Sequence, residues 1–168
     1  MGFDSAIIGA GLSGLAVART LLAKGERVAR LEARNRIGGR ILARPVSAQG
    51  GAAYDLGPAW IWPHNTRMLQ LISELGLPLM RQHSAGKLVF QDQNGSVRRD
   101  LDFATMGEAL RVEGGLARVT DGLASAFPQG VLRLGHVVET IEASEPVMRL
   151  TGMHGDGPFC VAADRVIL

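Results

Sequence analysis

The sequence predicts an α/β fold built on a parallel sheet, and three observations support this prediction. Residues 4–8 (DSAII) form a short apolar run that stops at a glycine-rich turn. Residues 12–24 carry apolar side chains at helical spacing, and residues 27–32 (RVARLE) have the pattern of a second strand. We expect the crossover of this βαβ unit to be right-handed. The last third of the chain is patterned like strands, which predicts a β-meander beside the parallel sheet.

Two more helices follow from local signals. Residues 66–75 place apolar side chains on one helical face, with Asn65 or Thr66 as the cap and Gly76 as the end. A third helix is predicted at about residues 116–127.

Strand and turn signals fill the rest of the chain. Residues 87–101 predict a hairpin that turns at Asn94-Gly95. Residues 41–62 are irregular because they contain five breakers, namely Pro45, Gly50, Gly51, Gly57 and Pro58. The last third predicts four strands, in the segments VLRLG, HVVETIEAS, VMRLTGM and FCVAADRVIL.

Composition narrows the class of protein. The 168 residues are 46% hydrophobic and 20% charged, with a net charge of +2 and no basic run, so no nucleic-acid partner is expected. The single cysteine, Cys160, excludes an internal disulfide and fits a reducing compartment. Arg19 and the glycines argue against a membrane span at residues 6–23, and Asp4 argues against a signal peptide. We therefore expect a soluble, cytoplasmic protein.

Three glycines form a nucleotide-binding pattern. Gly9, Gly11 and Gly14 are spaced G-x-G-x-x-G between a predicted strand and a predicted helix. The first permits a tight turn, the second allows close approach to a pyrophosphate, and the third lets the helix pack on the strand. The phosphates then lie at the helix N-terminus, where amides and the helix dipole favour anions.

An acidic residue follows at the expected distance. Glu32 lies 18 residues after Gly14, at the end of the second predicted strand. A carboxylate there accepts hydrogen bonds from an adenosine ribose and disfavours a 2′-phosphate, and thus NADP. The alternative is a glycine-rich turn with an exposed glutamate.

A second glycine pair bears on which nucleotide is bound. Gly38, Gly39 and Arg40 follow Glu32 closely, and a plain NAD site does not need them. Arg40 could donate charge-assisted hydrogen bonds to phosphate. A loop with a solvated arginine is the alternative.

Longer motifs resemble a known family. IIGAGLSGLAVARTL, LEARNRIGGR, DLGPAWIWP, EGGLARVTDGLA, VVETI and ADRVIL are similar, in this order, to motifs of the flavin-containing amine oxidases. The resemblance implies FAD as the cofactor. It also implies a Rossmann-like FAD/NAD(P)-binding domain with a β-meander.

The resemblance assigns residues to the adenosine and pyrophosphate part of FAD. Glu32 binds the ribose, and Val138 pairs with adenine through its backbone. The other implied contacts lie in the two glycine motifs and next to Glu32: Gly9, Gly11, Leu12, Ser13, Gly14, Ala33, Arg34, Gly38, Gly39 and Arg40.

Along the flavin, the resemblance implies contacts from one segment. Its members are Gly57, Pro58, Ala59 and Trp60. The implied chemistry is oxidation of a carbon beside an amine, with hydride transfer to flavin N5 and reoxidation by oxygen.

The chain also departs from the family pattern. The resemblance implies that residues 1–168 form an incomplete FAD-binding domain that lacks the C-terminal strand, and that residues 77–112 are a shortened remnant of the substrate domain. Neither Lys24 nor Lys87 matches the family's lysine near the flavin, so no catalytic residue is assigned. We expect a truncated or split oxidase. An amine substrate would bind only to a completed site, and a second polypeptide could supply the missing half. The alternatives are a non-catalytic FAD-binding fragment and an NAD-binding dehydrogenase domain.

The remaining candidates show no metal-ligand spacing. His64, His83, His136 and His154 are scattered relative to Cys160. We therefore expect no metal site.

Overall fold

The structure is a computed structural model that describes residues 2–46, 53–103, 105–155 and 157–168. The predicted breakers Gly50 and Gly51 lie outside these residues. The helices are α1 (Leu12–Ala23), α2 (Thr66–Glu74) and α3 (Ala117–Ser125). The strands are β1 (Phe3–Ile8), β2 (Val28–Leu31), β3 (Ala43–Pro45), β4 (Ala53–Asp55), β5 (Leu79–Arg81), β6 (Leu88–Gln91), β7 (Val97–Leu101), β8 (Leu110–Val112), β9 (Leu132–Arg133), β10 (His136–Ser144), β11 (Val147–His154) and β12 (Gly157–Ile167).

The main sheet has six strands in the order β10-β11-β12-β1-β2-β9. Strand β1 pairs in parallel with β2 and β12, and β2 pairs in parallel with β9. Strands β10, β11 and β12 are antiparallel neighbours and form the predicted meander. The start of β12 pairs with β11 and its end with β1, so this strand joins the two parts.

The βαβ unit buries both faces of β1. On one face Ala6 packs with Leu31 and Leu150, all fully buried. On the other face Ile7 packs with Ala18 of α1. Helix α1 therefore covers one face of the sheet, and the meander side chains cover the other.

A second layer packs beside the glycine turn. Ile61, Ile72 and Val119 are buried together, which joins the segment after Trp60 to α2 and α3. The backbone of Ile61 also pairs with Leu110. This layer closes one side of the cavity described below.

Most predicted elements are confirmed, with small changes of boundary. Asn65 occupies the N-cap of α2, but its side chain does not cap the helix because its Oδ1 accepts from the Trp62 amide at 2.9 Å. The hairpin β6-β7 turns through Asn94-Gly95, where Gly95 has φ +86°. Asp92 Oδ1 holds this turn by accepting from the Asn94 amide at 2.9 Å.

The sequence reasoning missed two strand pairs. Strands β3 and β4 pair across the segment predicted to be irregular, and β5 pairs with β8. Each strand has three residues, which is too short for a visible alternation.

In the part of the chain that is described, no helix is long and apolar enough to cross a membrane.

Candidate functional site

A cavity of about 1080 Å³ opens at the carboxyl end of β1 and the start of α1. Predicted site residues that line it are Gly9, Gly11, Leu12, Ser13, Gly14, Arg34, Gly38, Gly39, Arg40, Pro58 and Trp60. The carboxyl edge of a parallel sheet, where a helix begins, is the usual place for a dinucleotide.

Each of the three glycines of the first turn lies in a different geometric setting. Gly9 has φ +97°, a conformation that other residues rarely adopt. A Cβ on Gly14 would lie 2.6 Å from the Gly9 carbonyl oxygen, so only glycine allows this helix to approach the strand. Gly11 has an ordinary φ of −74°, and a Cβ there would meet no protein atom within 4 Å. Its missing side chain leaves open space in the cavity.

The start of α1 presents amides that have no acceptor inside the helix. The first helical hydrogen bond runs from the Leu15 amide to the Gly11 carbonyl oxygen at 3.0 Å. The amides of Leu12, Ser13 and Gly14 therefore have no acceptor inside the helix, and no side chain caps it. These residues line the cavity, where an anion could accept from the amides.

The second glycine motif packs against the first. The Gly38 amide donates to the Ala10 carbonyl oxygen at 2.7 Å. A Cβ on Gly39 would lie 3.2 Å from the Gly11 Cα atom. The Arg36 side chain donates to the Gly39 carbonyl oxygen at 3.1 Å. The pair thus has a packing role, beyond the cofactor contact implied by resemblance, while both glycines also line the cavity.

Glu32 is buried, so the alternative of an exposed glutamate is wrong. Its Oε2 accepts from the Ala10 amide at 2.6 Å, and its Oε1 accepts from the Arg34 amide at 2.9 Å. Each oxygen keeps a second lone pair, which is compatible with the predicted ribose contact. Glu32 does not itself line the cavity, so this contact stays a prediction.

Arg30 is a feature that the sequence reasoning missed. Its side chain is 0% exposed, on the face of β2 that α1 covers. Its Nη2 donates to the carbonyl oxygens of Gly9 at 2.7 Å and Gly11 at 3.1 Å. Burial lowers the pKa of the Arg30 guanidinium to about 10, so it stays charged at neutral pH. The available signal was an arginine inside a strand that is otherwise apolar.

The segment predicted to lie along the flavin is only partly in the cavity. Pro58 and Trp60 line it, whereas Gly57 and Ala59 do not. The Trp60 indole is half exposed and donates from Nε1 to Gln82 Oε1 at 3.1 Å. A Cβ on Gly57 would clash with the Arg40 carbonyl oxygen, which gives Gly57 a packing role.

Two other predicted contacts lie away from the cavity. Ala33 is exposed, and Val138 packs against the core on the meander side of the sheet. The adenine contact of Val138 is therefore still a prediction.

The ionisable groups of the cavity are basic. Its lining includes Arg34, Arg40, Arg67 and His64, and no carboxylate side chain from the described residues. Such a lining favours an anionic ligand. Leu12, Ile41, Ile61 and Met68 add apolar surface suited to a planar ring.

Two of the four histidines stack on each other. The rings of His136 and His154 stack at 4.1 Å between β10 and β11. Within the described ranges, no three His, Cys, Asp or Glu side chains could hold a metal ion. Cys160 is exposed, and its Sγ lies 3.6 Å from Arg149 Nη1.

These observations fit a dinucleotide cofactor. Free helix amides and arginines suit a pyrophosphate, and the open space at Gly11 admits close approach of a ligand. Pro58 and Trp60 would border the flavin ring, and the contact of Glu32 with the ribose stays a prediction.

Comparisons with known proteins agree on one family. The family model described as flavin containing amine oxidoreductase matches residues 12–106. Putrescine oxidase of Kocuria rosea is 42% identical over 93 residues, which are 55% of this chain and 19% of that protein. A flavin-containing amine oxidase of Oncorhynchus mykiss is 33% identical over 129 residues, which are 76% of this chain and 24% of that protein. The matched regions thus span about a fifth of these relatives.

Solved structures share the fold. Wild-type putrescine oxidase bound to putrescine superposes with a TM-score of 0.83 at 21% identity, covering 100% of this chain and 58% of that one. Cyclohexylamine oxidase from Brevibacterium oxydans gives a TM-score of 0.80 at 18% identity, covering 99% and 57%. The predicted α/β fold class is therefore confirmed. The chain belongs to the flavin-containing amine oxidoreductase family, and this membership implies FAD as its cofactor.

Proposed function

We propose that this chain is the FAD-binding part of an amine oxidase, with the pyrophosphate of FAD at the start of α1. The observation that carries this proposal is Gly11. Its backbone allows any residue, yet its missing Cβ leaves space beside the first amides of α1 and beside basic side chains. A ligand that approaches the backbone closely explains this combination.

The role of each residue in FAD binding follows from its position at or near the cavity. The amides of Leu12, Ser13 and Gly14 hold the phosphates, and Arg34 and Arg40 balance their charge. Glu32 fixes the adenosine ribose, and Trp60 borders the flavin. Bound FAD supplies a hydride acceptor for a carbon beside an amine.

The substrate class is a primary amine, which the names of the relatives support. Two printed names are putrescine oxidase and cyclohexylamine oxidase. The basic cavity of this chain offers no carboxylate among its described residues to hold an ammonium group. We therefore propose that another segment or polypeptide completes the amine site, and that this chain alone retains FAD weakly and oxidises amines little.

The proposed location is a reducing compartment such as the cytoplasm. The single cysteine, Cys160, supports it.

Titration of the purified chain with FAD and with NAD tests the proposal. We expect FAD to bind, with quenched flavin fluorescence, and NAD not to compete. Peroxide release with putrescine and cyclohexylamine should be close to background. Preferential binding of NAD would support the dehydrogenase alternative. Rapid peroxide release would contradict the need for a completing segment.

A further inference from the structure

The βαβ unit contains a buried cation that the family assignment does not explain. Arg30 lies in β2 between Ala29 and Leu31, which are also 0% exposed. Its side chain lies under the first turn of α1, where a Cβ on Gly14 would be 2.8 Å from Arg30 Nη2. A helix N-terminus carries a partial positive charge and so disfavours a cation nearby.

The guanidinium makes few of its possible hydrogen bonds. Nη2 donates to the carbonyl oxygens of Gly9 and Gly11. Nε and Nη1 have no partner among the residues that the structure describes. Buried polar groups without partners destabilise a fold, and apolar side chains of similar volume are often more stable in such positions. Packing alone therefore does not account for an arginine here.

Arg30 and Glu32 both hydrogen-bond to the peptide unit between Gly9 and Ala10. The carbonyl oxygen of Gly9 accepts from Arg30, and the amide of the same peptide, at Ala10, donates to Glu32. A cation at the oxygen and an anion at the N–H both fix the peptide in this orientation. The Gly11 carbonyl is held by Arg30 too, and the peptide it belongs to carries the Leu12 amide.

We propose that Arg30 is a positioning residue for the phosphate-binding turn and adds buried positive charge beneath it. By holding the Gly9 and Gly11 carbonyls below the turn, Arg30 directs the amides at the start of α1 toward the phosphates. The lowered pKa of Arg30 is still well above neutral, so the charge is present when ligand binds. The inference rests on the proposed nucleotide function of the same cavity.

The test compares a phosphorylated ligand with an unphosphorylated one. ADP and adenosine are titrated into the full chain and into its Arg30→Met variant by calorimetry. We expect Arg30→Met to weaken ADP about tenfold, as removal of one nearby charge predicts, while adenosine changes less than about twofold. The free energy of unfolding should stay equal or rise. A structural role alone would weaken both ligands together.

Two further variants make the result decisive. Arg99→Met removes the same charge from the exposed strand β7 and should leave ADP binding unchanged. Arg30→Lys keeps the charge without the planar fork, and should bind ADP with an affinity between wild type and Arg30→Met. If Arg30→Met does not fold, an ADP affinity of Arg30→Lys equal to wild type at lower stability overturns the positioning role.

The outcomes separate this inference from the proposed function. If wild type binds ADP and Arg30→Met binds it equally well, only the role of Arg30 is overturned. Equal weakening of ADP and adenosine also overturns it. If wild type binds neither ADP nor FAD, the proposed function fails, and the inference fails with it.

Discussion

Two regions of the chain differ in which side chains they bury and which they expose. The nucleotide region (residues 3–41) contains buried polar groups, and Ser5, Glu32 and one nitrogen of Arg30 are hydrogen-bonded within the region. The hairpin region (residues 79–103) instead exposes apolar side chains, including Phe90 and Phe103 at 49% and 58% exposure.

This difference shows which region is held by its own internal contacts. In the nucleotide region, contacts between β1, α1, β2 and both glycine motifs hold a site together. In the hairpin region, apolar side chains lie on the surface of a two-stranded sheet. Exposed apolar patches are typical of surfaces that contact other protein. We therefore expect substitutions in the two regions to have different consequences.

The largest contrast is expected from truncation of a buried leucine. Leu31 is 0% exposed in the nucleotide region, and Leu31→Ala should lower the free energy of unfolding by about 2–5 kcal/mol. Leu56 is 61% exposed, so Leu56→Ala is a matched control that should change it by less than about 0.5 kcal/mol. Urea unfolding measures both. Equal losses would contradict the placement of the core.

A smaller loss is expected when Glu32 becomes glutamine. The carboxylate accepts from two backbone amides, whereas a glutamine side chain has only one acceptor oxygen. Glu32→Gln should cost about 2 kcal/mol of unfolding free energy. Exposed Glu142 on β10 provides the control Glu142→Gln, which should have almost no effect. A wild-type stability for Glu32→Gln would mean that the turn is held by other contacts.

An acid titration should show a still smaller effect at the edge of the same region. Hydrogen bonds from the Arg27 side chain hold the pKa of the partly exposed Asp4 carboxyl below its usual 3.8. The stabilisation is complete above that value and disappears as the pH falls through the lower, folded pKa. Asp4→Asn should therefore be slightly less stable than wild type at pH 7 and match it in strong acid. A difference that does not shrink as the pH falls below 3.8 would contradict this contact.

In the hairpin region, a polar substitution should leave stability unchanged. Phe90 is 49% exposed, so Phe90→Ser should alter the free energy of unfolding by less than about 0.5 kcal/mol. It should also reduce self-association, measured by light scattering, because it removes exposed apolar surface. As a control at a buried position, Val112→Ser should lower the free energy of unfolding strongly. A large loss with Phe90→Ser would show that the hairpin is buried.

The sequence allowed prediction of the parts that depend on local geometry. Gly9 and Gly14 are required by a positive φ and by close packing, and both needs leave a motif in the sequence. Arg30 escaped prediction because its acceptors are carbonyls about twenty residues earlier, which only the βαβ crossover brings into contact with it. Likewise, the pairing of β5 with β8 joins distant short segments. The mutual packing of the two glycine motifs was also invisible, since it depends on their approach in space.

The most direct measurement of the central claim is FAD binding by a Gly11→Ala variant. The added Cβ meets no protein atom within 4 Å, and the backbone of Gly11 accepts alanine, so urea unfolding should match wild type. The same methyl group projects into the space assigned to the pyrophosphate, so the dissociation constant for FAD should rise at least about tenfold. Unchanged FAD affinity at unchanged stability would contradict a dinucleotide at the start of α1.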